Sequence, residues 1–272
     1  MSKPIVSVNI MGGLGNQLFQ IASAYAYARK ENGALQILHI TQNGNRPVYW
    51  NTLLKKVGQY LVSSLPSLEQ WHENMATEYK EIGPLSSQGK YLNGYLQSSK
   101  YFYTDEIKQE IKDLFRPNRA LEVDIYNKYE YLMNRKDRVV IMHARRTDYL
   151  AAAGCHGPLE GSYYKKAVEK ILTCVQNPIF LLCGDDNHFW KEIQDNISAV
   201  YQHEHLILEG ETDINTFVLL QQFNNVIMSN STFIWWTTWM ADAKNVIAPA
   251  KWFGPEGPQH YEDIYESHWI RM

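Results

Sequence analysis

The sequence predicts an α/β fold whose carboxyl-terminal half is a doubly wound parallel sheet. Two observations carry that prediction. From Val139 onward, short apolar runs alternate with helix-length segments, the order expected of βαβ units. Charged and hydroxyl residues follow several of those runs, at the carboxyl edge where open α/β sheets bind ligands.

The elements follow in order. Ile5 to Ile10 reads as a strand ending at Gly12-Gly13-Leu14-Gly15-Asn16-Gln17, after which Leu18, Ile21, Ala22, Tyr25 and Ala28 recur at helical spacing. Leu35 to Ile40 is expected to be a second strand. From Thr41 to Lys90 the pattern dissolves into Pro, Gly, Ser and scattered aromatics that predict no definite element. A strand over Tyr91 to Leu96 and a helix over Asp105 to Leu114 come next, and Arg116-Pro117-Asn118 interrupts the chain. The break between halves is placed near Arg135 to Asp137, giving domains 1–137 and 138–272. In the second half, strands are expected over Val139 to Met142, Ile179 to Cys183, Leu206 to Leu208, Asn225 to Met228 and Val246 to Ala248. The helices between them are Tyr163 to Val175, Phe189 to Asn196, Ile214 to Phe223 and Phe233 to Ala241.

Composition narrows the function. A chain of 272 residues, 45% hydrophobic and 13% aromatic, can build a substantial core. Its net charge of -3 and lack of a basic run argue against a nucleic-acid partner, so any anion must be gripped by a local cluster. Cys155, Cys174 and Cys183 form neither an even disulfide framework nor a metal-ligand spacing, which favours a reducing compartment. No signal peptide and no apolar run of about 18 residues is evident, so a soluble, cytoplasmic protein is expected.

The most informative segment is His143-Ala144-Arg145-Arg146-Thr147-Asp148-Tyr149, directly after the buried-strand signal Val139 to Met142. Two adjacent guanidiniums repel each other; holding them beside a carboxylate and an imidazole makes sense where an anion is expected. Arginine is the side chain best shaped to grip phosphate oxygens in pairs. The alternative is a salt-bridged Arg-Asp corner that caps a strand. Ser229-Asn230-Ser231-Thr232 precedes a predicted helix and reads either as a diphosphate cradle or as an N-cap. Trp235, Trp236 and Trp239 behind it read as packing residues. Asp185 and Asp186 end a strand, where they either bind a base and ribose or cap the next helix. His203-Glu204-His205 reads as surface, and no third ligand at metal spacing accompanies either pair, so no metal site is expected.

The glycine turn fails as a dinucleotide fingerprint: the third glycine position is Leu18, and no acid ends the second strand at Ile40. It lacks the Lys-Ser/Thr of a Walker loop as well. What remains is a tight turn that admits a ligand close to backbone, with Asn16 and Gln17 as amides at a helix start, or an ordinary turn capped by Asn16. No G-x-S-x-G, H-E-x-x-H or cysteine-nucleophile setting is found. A phosphate grip without a protein nucleophile suits a transferase whose nucleoside-diphosphate leaving group is stabilised by arginine in place of metal.

Gly12 to Gln20, Tyr95 to Phe102, His143 to Tyr149, His156-Gly157 with Tyr163-Tyr164, Met228 to Trp236 and Ile247-Ala248-Pro249 together resemble the α-1,2-fucosyltransferases of glycosyltransferase family 11, in the same order and nearly end to end. The His-x-Arg-Arg-x-Asp element is shared with α-1,6- and protein O-fucosyltransferases, so it speaks for GDP-fucose more than for linkage. The resemblance implies a GT-B-like arrangement of two facing Rossmann-like halves, the amino half on the acceptor side and the carboxyl half holding the donor. It implies metal-independent, inverting transfer from GDP-β-L-fucose to the 2-hydroxyl of a terminal β-galactoside in a cell-surface glycan, with no cofactor. A different acceptor or linkage with the same donor, and a nucleotide-sugar or glycan-binding module without turnover, are the alternatives.

Carried over by the resemblance, Arg145 grips the β-phosphate, and Asn16 lies near the reacting sugar. Gly13, Gly15, Arg146, Asp185, Asp186 and Ser229, Asn230, Ser231, Thr232 line the donor side, while Gln17 and His156 serve the acceptor. The general base is open. Some relatives place a carboxylate just past the arginine motif, whereas Leu150-Ala151-Ala152-Ala153 follows here. Asp148, His143 and His156 are the candidates, and a strongly oxocarbenium-like transition state would ask less of any of them. Animal members carry an amino-terminal membrane anchor, and none is expected here. Thr41 to Lys90 matches least, and there the acceptor is least defined.

Overall fold

A computed structural model describes residues 2–74, 77–102 and 104–272. The chain forms two compact units, Met1–Asn118 with His260–Glu266, and Arg119–Gln259 with Ser267–Met272.

The amino-terminal unit contains β1 (Ile5–Val8), α1 (Leu14–Lys30), β2 (Ala34–Leu35), β3 (Ile37–Leu38), β4 (Leu61–Val62), β5 (Glu69–His72), β6 (Lys90–Asn93) and α2 (Asp105–Leu114). Four of the strands form a parallel sheet in the order β2-β1-β6-β5, and β3 pairs with β4 separately. The chain leaves β1 toward β2 on one side and returns through β6 on the other. Their carboxyl ends therefore flank a topological switch point, where such sheets open a crevice. α1 closes this face with Leu18, Phe19, Ile21 and Ala22 fully buried.

Three expectations are corrected here. The strand over Leu35 to Ile40 is two short strands in different pairings: the Gln36 amide donates to the Val6 carbonyl, the His39 amide to the Val62 carbonyl. The segment Thr41 to Lys90 supplies β4 and β5, whose few buried residues gave no periodic signal. The strand expected to reach Leu96 stops at Asn93, because Leu96 adopts a left-handed φ of 56° and turns the chain. The helix over Asp105 to Leu114 forms as expected, with the Thr104 hydroxyl accepting from the Ile107 amide at 3.3 Å.

The carboxyl-terminal unit begins with α3 (Arg119–Lys128) and α4 (Glu130–Met133), and continues through β7 (Val139–Ala144), α5 (Thr147–Ala151), α6 (Ala153–His156) and α7 (Gly161–Ile171). Then come β8 (Ile179–Gly184), α8 (His188–Glu192), α9 (Ser198–Tyr201), β9 (Glu204–Ile207), α10 (Asp213–Leu220), β10 (Asn225–Ile227), α11 (Thr232–Met240), β11 (Asn245–Ala248) and β12 (Ile270–Arg271). α3 groups with this unit because it packs on α10, and the Tyr129 hydroxyl donates to Glu211.

All six strands run parallel, in the order β12-β11-β10-β7-β8-β9. The chain proceeds from β7 to β8 and β9, then crosses back to β10, so a second switch point lies between β7 and β10. Val140, Met142, Phe180 and Leu182 meet Ile171 and Trp190 in one buried cluster. Each such side chain contributes about 1.5–3 kcal/mol on burial, which anchors the strand ends that carry the site. Trp235, Trp236 and Trp239 pack against one another at centroid distances of 5.2 to 6.2 Å, in line with their reading as core.

Candidate active site

At the second switch point β7 runs two residues further than its apolar signal, so His143 and Ala144 belong to the strand and Arg145 is the first residue beyond it. The Arg145 guanidinium donates from Nε and Nη2 to the two carboxylate oxygens of Asp148, both at 2.9 Å. A second carboxylate, Asp185, lies 3.2 Å from Nε. The side chain is 26% exposed. Burial works against its charge, yet Asp148 and Asp185 outweigh that cost and hold its pKa above the ordinary arginine value.

Asp185 also accepts from the amides of Arg146 at 2.8 Å and Thr147 at 3.2 Å. One carboxylate at the end of β8 thereby fixes both the start of α5 and the arginine before it. This requires β8 to pass close to β7 at Gly184, where a Cβ would fall 2.3 Å from the Ala144 carbonyl oxygen. Asp186 accepts from the His188 amide at 3.1 Å and braces the turn into α8. Asp186 does not cap α8, whose N-cap is Asn187 without a side-chain bond, and Asp185 holds the arginine loop.

Arg146 points elsewhere. Its guanidinium lies 4.1 Å over the Phe189 ring and donates to the Leu159 carbonyl at 3.1 Å. The two arginines thus diverge, which relieves their repulsion.

The Ser229 to Thr232 segment sits at the carboxyl end of β10, beside the end of β7. Ser229 Oγ shares a hydrogen bond of 2.8 Å with His143 Nδ1. The Asn230 amide, 2% exposed, donates to the carbonyls of His156, Gly157 and Trp252. Ser231 Oγ caps α11 by accepting from the Phe233 amide at 3.3 Å. These polar side chains tie three loops together, and the backbone N–H groups at the start of α11 are the segment's donors suited to an anion.

His143 was expected to be a candidate base of suitable pKa, and this is corrected. Burial drives its pKa down to about 3, with Asp185 opposing and Arg145 assisting the shift. A base for neutral solution needs a pKa near the operating pH, so this imidazole is a neutral structural partner of Ser229. Asp148 is engaged on both oxygens by Arg145. His156 ends α6, half-buried, its ring stacked on Tyr149 at 4.4 Å. Tyr149 in turn donates to the Asn230 carbonyl at 3.0 Å. Tyr149 was not among the sequence candidates, although it closes the arginine motif.

In the amino-terminal unit, Gly12 takes a φ of 75°, and a Cβ there would meet Asn16 Nδ2 at 2.4 Å. Gly12, not Gly13 or Gly15, is the residue that the turn requires; the Cβ direction of Gly13 opens onto nothing within 4 Å, and Gly15 is buried in α1. The capping reading of Asn16 is corrected too. Gly13 is the N-cap without a side-chain bond, while Asn16, inside the first turn, accepts from Gln97 Nε2 at 2.9 Å. Gln17 is fully buried and donates to the carbonyls of Gly12 at 3.1 Å and Pro47 at 2.8 Å. Asn43 also donates to the Gly12 carbonyl, at 2.7 Å. Gln97, Asn43 and Pro47 escaped the sequence reading: the first lay within a recognised motif but carried no charge, and the others lay in the unreadable segment.

A cavity of about 320 Å³ lined by Tyr27, Lys30, Tyr79, Lys100, Tyr101 and Phe102 opens on the same unit. It adjoins the carboxyl end of α1, roughly 18 Å along the helix from the glycine turn, and lies apart from these residues. Among the described residues, no group of three or more His, Cys, Asp or Glu side chains is placed to hold a metal ion. No helix among them is long and apolar enough to cross a membrane.

The model of glycosyl transferase family 11 matches residues 3–272, and the chain belongs to that family. An alpha-1,2-colitosyltransferase from Escherichia coli is 24% identical over 296 aligned positions, covering 98% of this chain and 99% of that protein. A galactoside 2-alpha-L-fucosyltransferase from Caenorhabditis elegans is 22% identical, covering 96% of this chain and 74% of the relative. The fucosyltransferase NodZ from Bradyrhizobium superposes with a TM-score of 0.56 at 14% identity, over 89% of this chain and 93% of that one. The α-1,6-fucosyltransferase NodZ co-crystallised with GDP gives 0.55 at 14% identity, over 89% and 92%. At such identity the likeness establishes the fold, which is GT-B-like. The family makes the chain a glycosyltransferase.

Proposed function

We propose that this chain is an inverting fucosyltransferase that moves L-fucose from GDP-β-L-fucose to the 2-hydroxyl of a terminal β-galactoside in a cell-surface glycan. The observation that carries the reading is the clamp on Arg145. Asp148 occupies the Nε–Nη2 edge of the guanidinium, which leaves the Nη1–Nη2 edge of the fork for two oxygens of a diphosphate. GDP in crystals of NodZ supports the donor, and the names of the animal relatives support the galactoside.

In the reaction, the acceptor 2-hydroxyl attacks C1 of fucose opposite the diphosphate. The C1–O bond to the β-phosphate breaks with its electron pair leaving on GDP, and the β-linked donor becomes an α-linked product. Arg145 stabilises the charge that grows on the β-phosphate, with the backbone N–H groups at the start of α11 as further donors. Asp148 and Asp185 act as positioning residues for Arg145. The carboxyl half serves the donor; in the amino half, Asn16 serves the reacting sugar, while the buried Gln17 holds the glycine turn through the Gly12 and Pro47 carbonyls. His156 receives the acceptor proton, since burial pushes the His143 pKa down to about 3, too weak a base, and Asp148 is engaged. We place the reaction in the cytoplasm, where a soluble enzyme meets its nucleotide sugar.

The near full-length likeness to an alpha-1,2-colitosyltransferase favours a second reading, with colitose as the sugar transferred. Thermal stabilisation by GDP, UDP, ADP and CMP, followed by turnover on a β-galactoside with each sugar donor, separates the readings. Selective stabilisation by GDP and an α-1,2-linked fucosyl product are expected; a ligand at about 100 times its dissociation constant adds roughly 2.7 kcal/mol. Preference for UDP, or transfer of colitose alone, overturns the primary reading.

A further inference from the structure

Glu73 follows β5 and has no part in the motifs or in the reaction above. Its carboxylate faces the loop after β6. Oε2 accepts from the Tyr95 amide at 2.7 Å, and both oxygens lie 3.1 Å from the Leu96 amide. That loop carries a non-glycine residue, Leu96, in the left-handed region, a conformation that persists only where the surroundings hold it. The next residue is Gln97, almost wholly buried, whose amide donates to Asn16 Oδ1 at 2.9 Å. An unbroken run of hydrogen bonds and one peptide link therefore joins Glu73 to Asn16.

We infer that Glu73 is a positioning residue for the amino-terminal part of the site, clamping the Tyr95–Leu96 peptides so that Gln97 fixes the amide of Asn16. The inference rests on the role proposed for Asn16. The bond from Gln97 decides which end of the Asn16 amide is which: Oδ1 faces Gln97 and Nδ2 lies over Gly12. Release of the clamp lets Leu96 relax toward ordinary backbone, carrying Gln97 away and removing its hydrogen bond from Asn16 Oδ1.

The clamp is sensitive to protonation. Desolvation raises the Glu73 pKa to about 7, against the opposing pull of the Leu96 and Tyr95 amides and of Lys80. The other titratable groups around it are His72 at the end of β5 and Tyr101, whose hydroxyl accepts from the Lys80 amide. Lys80 Nζ is engaged with the His72 carbonyl and Asn74 Oδ1, both at 2.9 Å. A protonated Glu73 turns one acceptor oxygen into a donor that faces an amide N–H. The clamp is then complete above pH 7 and weakened below it.

The test uses the full chain with Glu73→Ala, Glu73→Gln and Gln97→Leu. Glu73→Ala and Gln97→Leu are expected to lower kcat about tenfold, with GDP affinity unchanged by titration. Glu73→Gln mimics the protonated acid, so the wild-type rate should fall toward its level as pH drops through about 7, while the variant lacks that limb. Its melting temperature at pH 8 should not be lower than that of the wild type, which separates positioning from a merely structural role. Amide hydrogen exchange at Tyr95 and Leu96, faster in Glu73→Ala, reads the clamp without reference to activity. Wild-type kcat in Glu73→Ala, or the same pH limb in Glu73→Gln, overturns the inference while leaving the reaction intact. If the wild type transfers no fucose, the functional reading fails, and unchanged exchange in Glu73→Ala would then overturn the clamp separately.

Discussion

Replacing Arg145 by alanine removes the one guanidinium that Asp148 and Asp185 hold in place, and the size of the effect can be worked from its surroundings. A unit charge about 4 Å from another contributes about 4 kcal/mol at an effective dielectric near 20, the regime of a partly buried group. Only part of a charge develops on the leaving phosphate at the transition state. A loss of roughly 2.7–4 kcal/mol, or about a hundredfold to a thousandfold in kcat, is therefore expected. The variant should also bind GDP more weakly, because the two carboxylates left behind repel the diphosphate. The double variant Arg145→Ala with Asp148→Asn tests that separation: GDP affinity should recover in part while kcat stays low. Arg145→Lys keeps the charge but loses the fork, and should fall between wild type and alanine. The assay is GDP release under single-turnover conditions with saturating GDP-fucose and a β-galactoside. An alanine variant within threefold of wild type would refute the assignment of leaving-group stabilisation to this residue.

Other outcomes are expected on the same grounds. Because the folded His143 pKa lies near 3 and the unfolded value near 6.5, the unfolded chain binds the extra proton between them. Stability from this group is complete above pH 6.5 and is lost progressively toward pH 3; at pH 5 the loss is about 2 kcal/mol, which denaturant unfolding of wild type and His143→Asn at both pH values should resolve. Asn230→Ala strands three carbonyls and should cost about 2–4 kcal/mol in the same assay; a cost below 0.5 kcal/mol would show that water replaces the amide. Gly184→Ala forces β8 from β7 and should lower both melting temperature and GDP affinity. Turnover should survive EDTA, since the charge on the leaving group is assigned to arginine; restoration by Mg²⁺ or Mn²⁺ after its loss would contradict that assignment.

The carboxyl-terminal sheet was legible because its central strands are buried on both faces, so Val139 to Met142 and Ile179 to Cys183 stand out as apolar blocks. Arg145 and Asp148 were legible for the opposite reason, as charge set directly against such a block. The amino-terminal unit was harder to read. β2, β3 and β4 are two residues long, and their pairing is set by contacts distant in sequence. Asn43 and Pro47 act on the glycine turn through an amide and a backbone carbonyl, neither of which has a sequence signature. The misjudged His143 has a different cause. A histidine beside two arginines reads as a titrating group, and only burial reveals that it is neutral.

The two switch points divide the labour among the motif residues in a way that residue type alone would not suggest. Ser229, Asn230, Asp185 and Asp186, the polar residues that look most like ligand contacts, spend their hydrogen bonds on neighbouring loops. Asn16 and Gln17 are tied in the same manner to Gln97, Gly12 and Pro47. On the proposed reading, each unit keeps few side chains for substrate and uses the rest to hold its own loops, the carboxyl-terminal unit fixing backbone N–H groups and one guanidinium in place. Preorganisation of that kind matters most where charge develops during the reaction, since donors fixed beforehand need no reorganisation at the transition state. It also implies that conservative changes at the supporting residues act mainly on kcat and stability together, whereas changes at Arg145 act on kcat and GDP affinity with the fold intact. Parallel measurement of melting temperature and kcat across Ser229→Ala, Asn230→Ala and Arg145→Ala distinguishes the two classes, and a Ser229→Ala variant that loses turnover at full stability would place its hydroxyl on the substrate instead.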